Sequence, residues 1–262
     1  MTASALLNAM VAAALKAGDS LSHDFANLGA LEIQTKAPSD FVSAADLRAE
    51  EILFEELTRI EPGASFHMEE RGRVEGAENA GGAVWIVDPL DGTTNFLHGI
   101  PHFAVSIGLE RDGELVAGVV YNPANGEMFS AGRGQGAFLN GARIQVAKRT
   151  RLEDCVVVTG IPHRGRGNHE TFLNQLTRVM RAVAGVRRGG SAALDCAWVA
   201  AGRYDAFWEG ALQPWDLAGG VALIREAGGV ATDMEGGACV LEAGSIIAGN
   251  AIVHTAMQDI LQ

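Results

Sequence analysis

The stretch Trp85-Ile86-Val87-Asp88-Pro89-Leu90-Asp91-Gly92-Thr93-Thr94-Asn95-Phe96 concentrates more reactive chemistry than any other part of the chain. An apolar run passes directly into two carboxylates three positions apart, and two hydroxyls follow. A hard cation such as magnesium takes oxygen ligands only, at roughly 2.0–2.1 Å, and a strand end that delivers two acids and a free carbonyl to one point meets that demand. The same residues are also ordinary turn chemistry, with Pro89 fixing φ and Gly92 relieving strain. Spacing alone leaves the turn and the cation site both open.

Acids at three further places have equally plain readings when each place is taken alone. Glu69-Glu70 follows Ser65-Phe66-His67-Met68, and an adjacent acid pair reads as solvated surface. Asp46 completes the Ser-x-x-acid spacing of a capping box in Ser43-Ala44-Ala45-Asp46. Asp216 lies in Pro214-Trp215-Asp216-Leu217, where proline at the first position and an acid in the first turn favour a helix start.

The elements that must position these acids can be read from periodicity. Residues 5–17 are rich in Ala and Leu and predict a helix stopped by Gly18. A second helix is expected from near Ser43, with Leu53, Leu57 and Ile60 at helical spacing and Pro62-Gly63 ending it. From Val84 the period changes. Val84–Val87, Phe103–Leu109, Leu115–Tyr121 and Glu127–Ala131 read as strands of an antiparallel meander, separated by Asp112-Gly113 and by Asn122 to Gly126. Gly132 to Gly141 predicts a glycine-rich hairpin and not a phosphate loop, because no Gly-Lys-Ser/Thr follows.

Beyond about residue 150 strands and helices alternate. Cys155–Thr159 reads as a strand, 169–183 and 191–201 as helices, and Tyr204–Trp208 as a strand. A helix starts at Pro214 and stops at Gly228-Gly229, short strands follow at Val230–Thr232 and Ser245–Ala248, and a final helix closes the pattern. The change of rhythm puts a boundary near residues 140–150, dividing the chain into 1–145 and 146–262.

Composition bounds the function. The 262 residues are 48% hydrophobic and 20% charged, which excludes disordered and fibrous classes. Twenty Lys+Arg against 32 Asp+Glu give a net charge of −12, which argues against direct binding to nucleic acid or anionic lipid. An anionic substrate would need bound cations to invert the local field.

Cys155, Cys196 and Cys239 are too few and too scattered for a disulfide framework or a tetrahedral zinc site, so a reducing cytoplasm is expected. Met1 to Leu7 shows no basic stretch before its apolar residues. No uncharged apolar run reaches the roughly 20 residues of a membrane span. His98, His102, His163 and His169 lack the spacing of a helical zinc pair. Arg187-Arg188 could meet a phosphate but reads first as solvent-facing or as a subunit contact, and the four tryptophans read as core.

Taken together, the acidic signatures resemble the inositol monophosphatase family of metal-dependent sugar phosphatases over nearly the whole chain. The resemblance rests on Asp88-Pro89-Leu90-Asp91-Gly92-Thr93-Thr94-Asn95-Phe96, on Glu69-Glu70, and on Trp215-Asp216 followed by Glu226-Ala227-Gly228-Gly229. Asp40-Phe41-Val42-Ser43-Ala44-Ala45-Asp46, Gly134-Gln135-Gly136-Ala137-Phe138 and Gly190-Ser191-Ala192-Ala193 add to it. One departure is His67-Met68, since the family more often has glycine immediately before its acidic pair; the replacement is expected to stiffen the loop carrying Glu69 and to loosen one metal site.

The resemblance implies a layered α/β/α/β/α sandwich of two sub-domains, with mixed and antiparallel sheets and two or three magnesium ions in the cleft. It implies that Glu69, Asp88 and the Leu90 carbonyl hold a first ion, that Asp88, Asp91 and Asp216 hold a second, and that Glu69 faces a third. Asp46 would support Thr93, whose hydroxyl orients or helps deprotonate the attacking water. Asp91, Gly92, Thr93, Gly190, Ser191, Ala192, Glu209 and Asp216 would contact substrate. The implied reaction is hydrolysis of a small polyol or sugar monophosphate, foremost myo-inositol 1-phosphate, by a lithium-sensitive, cytoplasmic homodimer. Histidinol phosphate, fructose 1,6-bisphosphate or a 3′-phosphonucleotide are alternative substrates. An alternative of another class is a regulatory scaffold associated with transcription machinery.

Overall fold

The computed structural model describes residues 3–30, 33–37, 40–77, 82–163, 167–238 and 240–262, with residues 3, 30, 33–37 and 40–42 described by backbone alone. Cys239 and the side chains of Asp40, Phe41 and Val42 therefore lie outside the described residues.

The chain opens with α1 (Ala3–Phe25), then a hairpin of β1 (Ile33–Ala37) and β2 (Asp40–Ser43) that leads into α2 (Ala44–Ile60). Next come β3 (Ser65–Met68), β4 (Gly72–Val74) and β5 (Ala83–Asp91), the short α3 (Thr93–Leu97), and β6 (Ala104–Arg111), β7 (Glu114–Asn122), β8 (Glu127–Gly132), β9 (Gly136–Leu139) and β10 (Ala142–Ile144). The strands from β3 to β10 form one eight-stranded sheet in the order β10-β9-β8-β7-β6-β5-β3-β4. Only the β3/β5 pair is parallel.

From Val156 the chain builds a second sheet. It runs through β11 (Val156–Thr159), α4 (His169–Met180), β12 (Gly185–Arg187), α5 (Ala192–Ala200), β13 (Ala206–Gly210), α6 (Pro214–Glu226), β14 (Val230–Thr232), α7 (Val240–Ala243), β15 (Ser245–Gly249) and α8 (Ala251–Leu261). The strand order is β12-β11-β13-β15-β14, parallel around β11 and antiparallel around β15.

Both sheets bury both faces, as the side-chain alternation shows. Val119 faces a core shared with α1 and α2, whereas its neighbour Val120 faces a core shared with α5 and α6. Phe207 and Ile246 face α5 and α6, and the adjacent Trp208 and Ile247 face the core of α4 and α8. Strand residues of period two thus feed three cores, and the layers run helix, sheet, helix, sheet, helix. The middle helices press closely on the first sheet: a Cβ added at Gly108 would lie 2.5 Å from Ala218 Cβ, and one at Gly118 would lie 2.4 Å from the Gly219 carbonyl oxygen.

Two helix ends differ from expectation. α1 does not stop at Gly18 but continues to Phe25. Gly18 serves close approach, because a Cβ there would sit 2.3 Å from Tyr121 Cε1. α4 ends at Met180 and not near 183, where Ala184 N–H bonds the Cys155 carbonyl instead. The tryptophans divide: Trp85 and Trp208 are buried, while Trp198 and Trp215 are partly exposed.

Candidate active site

β5 lies inside the eight-stranded sheet, between β3 and β6, so its C-terminal end is fixed on both sides. Residues three apart on a regular strand point to opposite faces. Here the pairing with β6 slips: Asp88 opposes Ser106 and Asp91 opposes Ala104, so three steps on β5 match two on β6. Such a bulge rephases the strand. Pro89, which has no N–H to give a ladder, sits in the irregular part. Asp88 and Asp91 consequently converge, and with Asp216 they offer carboxylate oxygens that all lie within 4.8 Å of one another.

Each acid is also tied to its own scaffold. Asp88 Oδ1 accepts the Leu90 N–H at 2.9 Å. Asp91 Oδ2 accepts Ser191 Oγ–H at 2.6 Å and Ala193 N–H at 2.7 Å. Asp216 occupies the first turn of α6 and caps it, its Oδ2 accepting the Gln213 N–H at 2.8 Å. The Glu69 carboxyl lies within hydrogen-bonding reach of Asp88. Its backbone N–H bonds the Val87 carbonyl at 3.3 Å.

The price of this convergence is electrostatic. Burial, then the charges of Glu69, Asp91 and Asp216, pushes the Asp88 carboxyl well above the usual carboxylate range. Burial and then Asp216 push Asp91 up to about 7, against the lowering effect of its bonds to Ser191 and Ala193. A cluster of carboxylates that raise each other's pKa, with oxygen donors only, fits a hard divalent cation. Its positive charge removes the repulsion.

Beside the cluster stands Asp46, fully buried at the third position of α2. Its Oδ2 accepts the Ser43 N–H at 2.8 Å and Ser43 Oγ–H at 2.5 Å. The capping box expected from the sequence is therefore present, and Asp46 also reaches the loop, with Oδ1 3.2 Å from Thr93 Oγ1. Thr93 Oγ1 lies 3.0 Å from the Leu90 carbonyl oxygen as well. Burial raises the Asp46 pKa, partly offset by the Ser43 bonds.

Gly92 makes the turn possible. It has φ 95 and caps α3, and a Cβ there would meet the His102 carbonyl oxygen at 3.1 Å and that of Gly190 at 3.3 Å. Asn95 Nδ2 fastens the loop by donating to the His102 carbonyl at 2.7 Å and the Gly189 carbonyl at 3.1 Å. The second half thereby presents Gly190, Ser191 and Ala192 to the cluster, with Ser191 capping α5.

Asp88, Asp91, Asp216, Gly92, Gly190, Ser191 and Ala192 line a cavity of about 400 Å³, together with Glu69, Thr93, Arg188, Asp195 and Glu209. That volume suits a small-molecule site. Glu209, on β13, reaches the wall only because residue 160 is glycine: a Cβ there would sit 1.8 Å from Glu209 Oε1. The far wall comes from Asn168, Thr171, Phe172 and Gln175 at the start of α4.

The His67-Met68 departure has a structural counterpart. Met68 is fully buried, and the His67 ring meets Trp215 edge-on at 5.1 Å, joining the strand before Glu69 to the residue before Asp216. Two other motif pieces prove to be one device: Glu226 Oε1 and Oε2 accept the N–H groups of Gly134 and Gly136 at 2.9 and 2.8 Å, pinning the glycine hairpin to the end of α6.

Sequence reasoning singled out neither Glu50 nor Asp195. Asp195 is buried, its Oδ1 has no hydrogen-bond partner among the described residues, and burial followed by Glu209 and Asp91 raises its pKa. An aspartate in the first turn of a helix is too common for its burial to be read from spacing. His102 stands behind the site with its ring edge-on to Trp198, while His98 and His169 are exposed.

Comparison with known proteins places this geometry. A family profile described as "Inositol monophosphatase family" matches residues 3–261. The chain is 57% identical to an inositol-1-monophosphatase of Mesorhizobium japonicum over 98% of its own length and 96% of that protein's. It is 41% identical to the Nus factor SuhB of Pseudomonas aeruginosa, covering 98% and 96% of the two chains. The crystal structure of the extragenic suppressor protein suhB from Bartonella henselae superposes with a TM-score of 0.95 at 52% identity, covering 98% of each chain. The converging acids and the layered fold thus find their counterpart along the whole length, and the chain belongs to the inositol monophosphatase family, a family of phosphatases.

Proposed function

We propose that the protein is a magnesium-dependent phosphatase that hydrolyses a small polyol monophosphate, foremost myo-inositol 1-phosphate, to the free alcohol and inorganic phosphate. The observation that carries this reading is the group Asp88, Asp91 and Asp216, with ligand oxygens within 4.8 Å of one another at the wall of the cavity that also holds Thr93. The relatives named inositol-1-monophosphatase support the choice of substrate.

In this reading Glu69, Asp88 and the Leu90 carbonyl hold one ion, Asp88, Asp91 and Asp216 a second, and Glu69 faces a third. Bound magnesium supplies Lewis-acid polarisation, a lowered pKa for water and neutralisation of phosphate charge. The chain's own residues do the rest. Asp46 accepts from Thr93 Oγ1, so the Thr93 oxygen is held with its lone pairs toward the cavity and orients the attacking water. The water oxygen bonds to phosphorus and gives up a proton through Thr93 Oγ1 to Asp46, while the bond from phosphorus to the alcohol oxygen breaks and the departing oxygen takes a proton from solvent to leave as the free alcohol.

Glu209, Gly190, Ser191 and Ala192 face the alcohol and set its orientation, while Asp91, Gly92, Thr93 and Asp216 surround the phosphoryl end. The cavity lies between residues of the proposed sub-domains 1–145 and 146–262. The same reading makes the enzyme a lithium-sensitive, cytoplasmic homodimer.

A phosphate-release screen over inositol 1-phosphate, histidinol phosphate, fructose 1,6-bisphosphate and a 3′-phosphonucleotide, with and without magnesium, tests it. Magnesium-dependent release that is greatest for the polyol phosphate and is abolished by Asp91→Asn is expected. Release that ignores magnesium sinks the mechanism. The relatives named Nus factor SuhB favour the scaffold as a second reading. A scaffold has no chemical need for acids at 69, 88, 91 and 216, and absence of activity on the whole panel would be its signature.

A further inference from the structure

We propose that Glu50 is a positioning residue that holds Glu69 in place for metal binding; this rests on the reading of Glu69 as a metal ligand given above. Glu50 is a carboxylate with only 4% of its surface exposed, one helical turn beyond Asp46 on α2. Burial of an acid on a helix that also offers Ala45, Ala49, Leu53 and Leu57 to the core demands compensation. The compensation found is specific. Glu50 Oε2 accepts the backbone N–H of Glu70 at 2.8 Å.

The position of that bond gives it a consequence. Glu69 stands at the turn between β3 and β4, just past the last residue of β3. Its own N–H is tied to the Val87 carbonyl, next to Asp88. The following N–H, that of Glu70, is tied to Glu50. The peptide units on either side of the Glu69 side chain are therefore both fixed, one by the strand that carries Asp88 and one by α2. Arg71 lies near the same carboxylate, with Nε 3.9 Å from Oε1, but its guanidinium is engaged by Glu51 and by the Phe54 ring at 4.2 Å.

α2 thus presents two buried carboxylates one turn apart, each bonded to a different segment of the site. Asp46 reaches Thr93 at the start of α3, just past β5, and Glu50 reaches the turn that carries Glu69. One helix sets the register between the two segments. Hydrogen-bond partners behind a metal ligand typically change metal affinity by about 10- to 100-fold when removed.

Calorimetric titration of magnesium into the metal-free full-length protein tests the role without using turnover. Glu50→Ala is expected to weaken magnesium binding about 10-fold or more. Glu50→Gln keeps an acceptor oxygen at the same reach and is expected to restore most of the affinity. Glu50→Asp keeps the charge but falls one methylene short, and is expected to behave as Glu50→Ala does. It decides the matter if the alanine variant does not fold. The proposal is overturned if Glu50→Ala and Glu50→Asp bind magnesium as the parent does. It is equally overturned if Glu50→Asp restores affinity and Glu50→Gln does not, because charge and not the bond to Glu70 would then matter. Failure of the phosphatase reading would show separately, as absent phosphate release by the unmodified protein.

Discussion

Ser191 Oγ donates to Asp91 Oδ2 at 2.6 Å while accepting the Leu194 N–H at 3.3 Å, so one hydroxyl both starts α5 and holds an acid of the other half of the chain. The two functions predict two losses. Ser191→Ala removes a helix cap, at a cost of about 1 kcal/mol in stability. It also frees Asp91 from a bond that favours its charged form. Thermal melts should show the first effect with or without magnesium, and a magnesium titration should show weaker binding as the second.

The raised pKa values of the acid cluster predict how the metal-free protein responds to pH. Asp91 is pushed from 3.8 up to about 7, and Asp88 is pushed well upward, so the folded state binds more protons than the unfolded one over that interval. Where the native state binds more protons, stability falls as pH rises. The contribution is fully present below pH 3.8 and is lost as pH climbs through about 7. Melting temperatures of the metal-free protein should decline between about pH 4 and 7. Saturating magnesium should flatten that decline, and Asp91→Asn should reduce it.

The acids at 88, 91, 69 and 216 were legible as residue types and spacings, and so were the turn at Gly92, the capping box of α2 and the helix start at Pro214; the box by which Gln213 and Asp216 cap α6 was not, because glutamine is not a usual N-cap residue. The convergence of the acids was not legible either, because a spacing of three on a strand puts side chains on opposite faces, and only the register slip against Ser106 and Ala104 reverses that. Tertiary approach hides in the same way. Gly18 reads as a helix stop by local rules, yet it makes room for Tyr121 from a strand about 100 residues away. Glu50 looks like any solvent-facing helix acid until the β3/β4 turn is laid over it.

Gly118 gives a stability prediction of that kind. It lies in β7, where glycine lowers strand propensity, and a Cβ there would come within 2.4 Å of the Gly219 carbonyl oxygen and 2.7 Å of Ala222 Cβ. Backbone cannot swing aside as a side chain can. Gly118→Ala should therefore separate α6 from the sheet and destabilise the protein by about 1–3 kcal/mol, as overpacking does. Because α6 also carries Asp216, magnesium affinity should drop in the same variant. Chemical denaturation and metal titration measure the two together.

Gly160 gives a prediction on specificity. Its missing Cβ leaves room for the Glu209 carboxylate, which would otherwise be 1.8 Å away. Gly160→Ala forces that flexible side chain elsewhere at small cost in stability, while the metal-facing acids stay in place. The expected result is a higher KM for inositol 1-phosphate, with a simple aryl phosphate affected much less. Steady-state kinetics on both substrates distinguishes a displaced Glu209 from general damage, which would raise both.

The pair Asp46 and Thr93 gives the sharpest test of mechanism. Thr93 has a single hydroxyl proton and two acceptors in range, Asp46 Oδ1 at 3.2 Å and the Leu90 carbonyl at 3.0 Å. Only when the proton points to Asp46 is the hydroxyl part of a relay to a buried carboxyl whose raised pKa makes it a better base. Thr93→Val deletes the hydroxyl without changing bulk, and Asp46→Asn keeps the shape but removes the base. Each should lower kcat by about 100- to 10,000-fold at saturating magnesium. Residues acting as one unit are strongly non-additive. The double variant should therefore be little worse than either single one, whereas independent contributions would multiply.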